Sequence, residues 1–336
     1  MENLFDSLQG RDKVLRRFSM FDNAGYDLRD CVTLEQALDK AQINYGAEKS
    51  PIFLANGTEI QDHFCVTKSD DGSPLGVVGK DYNPVHNKDA FELASDLCDW
   101  HGFKYEAGGA NRGSRCAVDN AKTFMVLRGN DIQLSDDVFN TFAVFRNSFD
   151  GSSGIEYRIV LQRLVCLNGM TRYLGGKKNQ LWIKVQHSNS VDSQIRIANE
   201  TMKNYATEIE AIRKEAEAFA STKMSRKDFE QEIIPVMLGA MKLNPENEKE
   251  GNVAKINQVV QKALSAYDAE DTQNYNGTAY KVILAMTDLE SHLEPFRDTQ
   301  NPSLYMNRVL SGMIWTTTIA NYIASTRNIH GKLSIN

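Results

Sequence analysis

The sequence predicts an α+β protein: a central, mostly antiparallel twisted β-sheet backed by helices, with a C-terminal all-helical subdomain. Two observations carry this. Between residues 51 and 190, short runs rich in Val, Ile, Phe and Tyr are separated by Gly- and Asp-containing turns. From Val191 onward the composition changes to helix formers, with apolar residues three and four apart. A β-rich half followed by a helical half is the α+β pattern. The expected organisation is an N-terminal arm (1–50), a β-rich core domain (51–190) and a helical C-terminal subdomain (191–336).

Taken in order, the arm holds one short helix over 34–42, opened by Thr33. Residues 63–68 and 75–78 flank Asp70-Asp71-Gly72, a hairpin turn. A helix over 88–101 is marked by Phe91, Ala94, Leu97 and Cys98, with Asn87 as its cap and Gly102 as its stop. Strands follow at 103–118, 123–128 and 138–146, the last leading through Asp150-Gly-Ser-Ser-Gly154 to 155–164. In that strand Ile155, Tyr157, Ile159 and Leu161 share one face, and Glu156, Arg158 and Gln162 share the other, which is expected to be half-exposed. In the last strand Leu181, Ile183 and Val185 face inward, with Gln180, Trp182, Lys184 and Gln186 outward. The stripe over 190–222 predicts a single helix of about nine turns, roughly 50 Å. Further helices are expected at 225–241, 252–267, 275–292 and 302–325, punctuated by Pro235, Pro245, Pro295 and Pro302.

Composition is that of a soluble protein: 336 residues, 41% hydrophobic and 24% charged. The sequence has neither an apolar run of membrane-spanning length nor a secretory signal, so the expected location is cytoplasmic. Its five scattered cysteines (31, 65, 98, 116, 166) form no Cys-x-x-Cys pair and are expected to be small buried residues. The net charge of −6 opposes general polyanion binding, but the charge is unevenly spread. Residues 104–187 hold 12 Lys and Arg against 7 Asp and Glu, while the remainder holds 26 against 37. A locally basic segment supplies phosphate contacts whatever the net charge, because salt screens distant charges.

Three loops stand out: LGVVGKDYNPVHN (75–87), FRNSFDGSSG (145–154) and QRLVCLNGMTR (162–172). With AGGANRGSR (107–115) they resemble, over roughly 50–240, the phage/plasmid-like family built on a domain of unknown function (the one numbered nine-three-two). The resemblance implies a phage or prophage protein acting in a bacterial host, and implies no reaction. By analogy, phage annealing proteins of the Red-beta type also pair a basic sheet with long helices.

The common enzymatic motifs are missing: no phosphate loop, dinucleotide fingerprint, His-Glu-x-x-His or Gly-x-Ser-x-Gly. Acid–base or metal chemistry would fall to Asp81, His86, Asp150 and His187, each of which also suits a turn or a core position. No catalytic residue, metal or cofactor is therefore assigned, and enzymatic activity stays open. Single-stranded nucleic acid asks for cations that follow phosphates and aromatic faces that stack bases. Arg172, Tyr173, Lys177, Lys178, Trp182 and Lys184 interleave the two kinds of residue; Arg158 adds charge from a neighbouring strand, and Arg112, Arg115, Arg146 and Arg163 surround the glycine-rich turns. The expected function is single-stranded DNA binding, with strand annealing in phage recombination or replication as its extension, by a homo-oligomer without membrane contact. The alternatives are an oligomeric structural or anti-defence protein that binds a protein partner, and a metal-dependent enzyme acting on nucleotides or nucleic acid.

Overall fold

A computed structural model describes residues 21, 25–110, 120–134, 137–163, 169–170, 182–292 and 314–329. Strand β1 (Tyr26–Asp27) leads to helix α1 (Leu34–Lys40), which Thr33 opens with a capping box completed by Gln36. Strands β2 (Ala47–Phe53), β3 (Glu59–Lys68) and β4 (Pro74–Gly79) form a small antiparallel sheet that starts before the expected Pro51. Its β3–β4 turn is the predicted one. Gly72 takes the left-handed φ of 71°, and the Asp71 carboxylate accepts the Ser73 N–H at 2.8 Å.

The helix expected over 88–101 is broken at Phe91 into α2 (Asn87–Ala90) and α3 (Glu92–His101), which Gly102 ends in the left-handed region. Asn87 is no cap. Fully buried, it donates to the Ile43 carbonyl at 2.9 Å and accepts from Thr123 Oγ1 at 2.7 Å and Asn147 Nδ2 at 3.1 Å. Its amide is spent joining three distant segments, a use that sequence spacing does not show.

The large sheet is antiparallel throughout and contains β1, β5 (Lys104–Ala110), β6 (Lys122–Arg128), β7 (Ile132–Leu134), β8 (Asp137–Ser148), β9 (Ile155–Arg163), β10 (Gly169–Met170) and β11 (Trp182–Val185). The strand order is β1-β5-β6-β8-β9-β10, with β7 on β8 and β11 on β9. One face carries Met125, Leu127, Phe139, Ala143, Phe145, Ile155, Tyr157, Ile159 and Val185 into the main core. The edge-to-face pair Phe91–Phe145 (6.4 Å) packs the α2–α3 break onto this face, and Phe145–Tyr157 (5.5 Å) joins β8 to β9 across it, each adding about 0.5–1.5 kcal/mol beyond area burial.

Every regular element described after β11 is helical. The stripe over 190–222 does not make one long rod. It breaks at Asn204 into α4 (Val191–Lys203) and α5 (Tyr205–Ser221), where the Asn204 N–H bonds back to Thr201 O and its carbonyl starts the next turn. Helix α6 runs through Arg226–Asp228, a π turn at Phe229–Ile233 and Ile234–Ala240. Pro235 has no N–H, and its ring would strike the carbonyl four residues earlier in a regular helix; the wider turn just before it removes that conflict. Helix α7 (Glu250–Tyr267), a 3-10 segment (Glu270–Tyr275), α8 (Ala279–His292) and α9 (Ile314–Thr326) complete the half. Tyr280, Lys281, Val282, Ile283, Leu284, Ala285 and Met286 are all buried, so α8 is the central helix around which the others pack. One apolar cluster runs without a break from Leu28 through the sheet to Ile329. Cys31, Cys65 and Cys98 are free thiols and only half-buried, not the core residues expected. No described helix is long and apolar enough to cross a membrane.

Candidate nucleic-acid interface

Strand alternation sends the even-numbered residues of β6, β8, β9 and β11 to the second face of the large sheet. This face was expected to be half-exposed along β9, and it is not. Phe21, Ala107, Phe124, Val126, Phe142, Val144 and Val160 form a second, smaller core there, with Phe21 edge-on to Phe142 at 5.0 Å. Around that core the parity places Lys104, Lys122, Arg128, Arg146, Arg158 and Lys184, against Glu156 and the bulged Glu106. The face is thus apolar at its centre and mainly basic at its rim.

Register decides which of the expected residues meet. Trp182 lies opposite Arg158, and Lys184 opposite Glu156, which lies opposite Arg146 on its other side. The Arg158 guanidinium sits 4.1 Å above the Trp182 ring centroid. Arg158 is only 1% exposed, so it is a support for the tryptophan and not the solvent-facing phosphate contact expected. Trp182 keeps its predicted parity and is half-buried. One ring face is taken by Arg158, and the indole Nε1 is buried. Lys184 is exposed and reaches Glu156 at 3.5 Å, where the carboxylate is 8% exposed. Arg146 is half-buried in the same row. Arg163 ends β9 opposite Phe139; its side chain, and Arg112, Arg115, Arg172, Tyr173, Lys177 and Lys178, lie outside the described residues.

The two conspicuous loops at 75–87 and 145–154 pack against each other and form a clamp. Tyr82 donates its hydroxyl to the Ser148 carbonyl at 2.5 Å, and Asn147 Nδ2 donates to the Val85 carbonyl at 2.9 Å. The Asn83 N–H donates to the His187 carbonyl, and the His187 ring stacks on Tyr82 with centroids 4.7 Å apart. Two glycines make the close approaches possible. A Cβ on Gly76 would lie 2.5 Å from Asp150 Cα, and one on Gly154 would lie 2.1 Å from the Val185 carbonyl oxygen.

This clamp also accounts for three of the four residues considered for acid–base chemistry, His187, Asp150 and His86, whereas Asp81 is exposed. Burial pushes the His187 imidazole down to about 4, against a weaker opposing bond between Nδ1 and the Asn83 carbonyl. The ring is therefore neutral at pH 7. Asp150 accepts from Ser148 Oγ, Ser152 Oγ and the Ser152 N–H at 2.6–2.9 Å. Burial opposes its ionisation, but those bonds and Lys122 hold its carboxyl below the usual carboxylate range. His86 accepts the Ala47 N–H on Nδ1 at 2.9 Å. Each is engaged in fixing a loop. Among the described residues no three His, Cys, Asp or Glu side chains stand together as metal ligands.

Sequence reasoning missed the Arg158–Trp182 pair and the Tyr82–His187 stack. The first was recoverable, since both residues share a parity on strands that pair. The second joins positions 82 and 187 and leaves no local signal.

No curated protein and no solved structure matches the chain. The model of a domain of unknown function, DUF932, matches residues 74–311. That range includes all three conspicuous loops, starts later than the resemblance over roughly 50–240 and extends through most of the helical half. Because it covers well over half of the sequence, the chain belongs to the DUF932 family.

Proposed function

We propose that the protein binds single-stranded DNA along the β9–β11 edge of the large sheet, and that it serves strand annealing in recombination or replication of a phage-type element in a bacterial cytoplasm. The observation that carries this reading is the half-buried Trp182, seated on Arg158 beside the row that holds Lys184 and Arg146. A ring whose rotamer is held by a guanidinium stacks a base with little further loss of rotamer freedom, and a stacked base contributes about 1–3 kcal/mol. Lys184 lies one alternation step along β11, about 7 Å from Trp182 and close to the spacing of successive phosphates, and Arg146 lies in the Lys184 row on β8, two strands over and about 12 Å from Trp182.

The test is a fluorescence-polarisation titration of labelled single-stranded and duplex DNA at two salt concentrations. The wild type is expected to prefer single strands. A double Arg146→Ala, Lys184→Ala variant should flatten the salt dependence by about 1.4, or about 0.7 per lost phosphate contact. An unchanged slope would remove this edge as the binding surface.

A second reading has its own observation. The β2–β3 hairpin extends past the end of β4 and leaves Phe53 and Leu54 at its tip 56% and 51% exposed, as a protein-binding oligomeric or anti-defence role would use. A Phe53→Ser, Leu54→Ser variant that loses self-association in light scattering while keeping DNA affinity would favour that role.

A further inference from the structure

At the end of the large sheet remote from Trp182, a cleft of about 620 Å³ is lined by Arg29, Lys104, Glu106 and Arg128 together with Gly102, Tyr105, Gly129 and Asn130. The fold builds it deliberately from distant parts of the chain. Lys104 and Arg128 are directly opposite each other where β5 and β6 begin and end. A bulge between Tyr105 and Ala107 turns Glu106 aside, and the Leu28 N–H bonded to the Glu106 carbonyl at 3.0 Å brings Arg29 alongside.

Both arginines are held in place. Arg128 Nη2 donates to Asn140 Oδ1 at 2.8 Å and lies 3.5 Å from Asp131, and fully buried Asn140 donates in turn to fully buried Gln162 at 3.5 Å. Arg29 donates through Nε and Nη2 to both oxygens of Asp27 at 2.9 Å. Bracing by carboxylates and buried amides fixes a guanidinium's direction at low entropic cost, as planar recognition of an oxyanion requires. Among the described residues Glu106, 5% exposed, is the one acidic side chain lining the cleft.

We propose that this cleft binds a phosphate monoester: Lys104, Arg128 and Arg29 hold the dianionic phosphate. Three cations suit a terminal phosphate with three oxygens better than an internal diester with two. The volume lies within the range of small-ligand sites and is too small for a run of nucleotides. The monoester comes either from a free nucleotide or from the 5′ end of a strand. The cleft is separated from Trp182 by the intervening strands β8 and β9, about 14 Å at ordinary strand spacing, and its assignment does not depend on the strand-binding edge.

The experiment uses the full chain with deoxyadenosine monophosphate in a calorimetric titration, and 5′-phosphorylated and 5′-hydroxyl oligonucleotides of one sequence in polarisation. Deoxyadenosine monophosphate is expected to bind, and Lys104→Met, at an exposed position, to weaken it at least tenfold; Arg29→Met provides a second variant at an exposed position. A tenfold preference for the phosphorylated strand that Lys104→Met abolishes identifies the strand end as the source, whereas nucleotide binding without that preference identifies the free nucleotide. Trp182→Ala should leave nucleotide binding unchanged, so failure of the strand edge and failure of the cleft give different results. Absence of both nucleotide binding and end preference overturns the proposal, as does binding that neither variant weakens.

Discussion

Trp182 shows how one position can serve both stability and recognition. Its lower ring face covers a buried guanidinium, and a desolvated cation–π contact contributes on the order of 2 kcal/mol. Trp182→Ala is therefore expected to lower stability by about that amount and also to weaken single-strand binding by about 1–3 kcal/mol. Trp182→Tyr should restore most of both. A lower melting temperature with unchanged DNA affinity would assign the ring to structure alone. His187 makes a separate, pH-dependent contribution. Its folded value of about 4 lies below the ordinary 6.5 of the unfolded chain, so its contribution is complete above pH 6.5 and is lost as pH falls towards 4. The loss approaches about 3 kcal/mol. His187→Phe keeps an aromatic ring over Tyr82 but cannot protonate, so its stability should fall less steeply between pH 7 and pH 4 in denaturant titrations. At this scale the sequence was informative about direction and silent about cover. The parity of Trp182, Lys184 and Arg158 was correct, but nothing near Arg158 announces that Phe21, far away in the chain, closes the face beside it.

Elements were legible where a local rule governs them and illegible where a long-range bond overrides it. Thr33, Gly72 and Gly102 act as their residue types predict. Asn87 does not, because two strands and the Ile43 carbonyl claim its amide. Asn87→Ala would leave those buried partners unmatched, at about 1–3 kcal/mol for each unsatisfied group, and chemical denaturation should register a loss towards the upper end or beyond. The continuous stripe over 190–222 hid the break at Asn204, since a helix that restarts at once preserves its apolar spacing. Gly154 is a stricter constraint. With the Val185 carbonyl in the place of its missing Cβ, Gly154→Ala must push β11 away from β9, costing roughly 1–3 kcal/mol as overpacking does. Because β11 carries Trp182 and Lys184, the same change should weaken DNA binding although residue 154 touches no proposed contact. Retained affinity with reduced stability would place the binding surface away from β11.

Across the whole molecule, the α+β class followed from the switch of pattern near Val191, but the way the halves join did not. The apolar cluster is continuous from Leu28 to Ile329, so scanning calorimetry is expected to show one cooperative transition; two resolved transitions would make the helical half an independent unit. Amphipathic stripes report that a face is buried and say nothing about which partner buries it, which is why the sheet–helix junction and the terminal cleft became visible only in three dimensions.

The clamp between Asn83 and His187 also sets an order of events. A bond spanning more than a hundred residues closes late, after the loop entropy between its ends has been overcome by other contacts. The loop at 75–87 should therefore be unseated in the folding transition state. Tyr82→Ala, which removes the stack on His187 and the bond to Ser148, is expected to leave the refolding rate nearly unchanged while accelerating unfolding, a φ-value near zero. A sheet fastened by its last-closing contact is one whose lifetime, more than its speed of formation, is set by a single tyrosine.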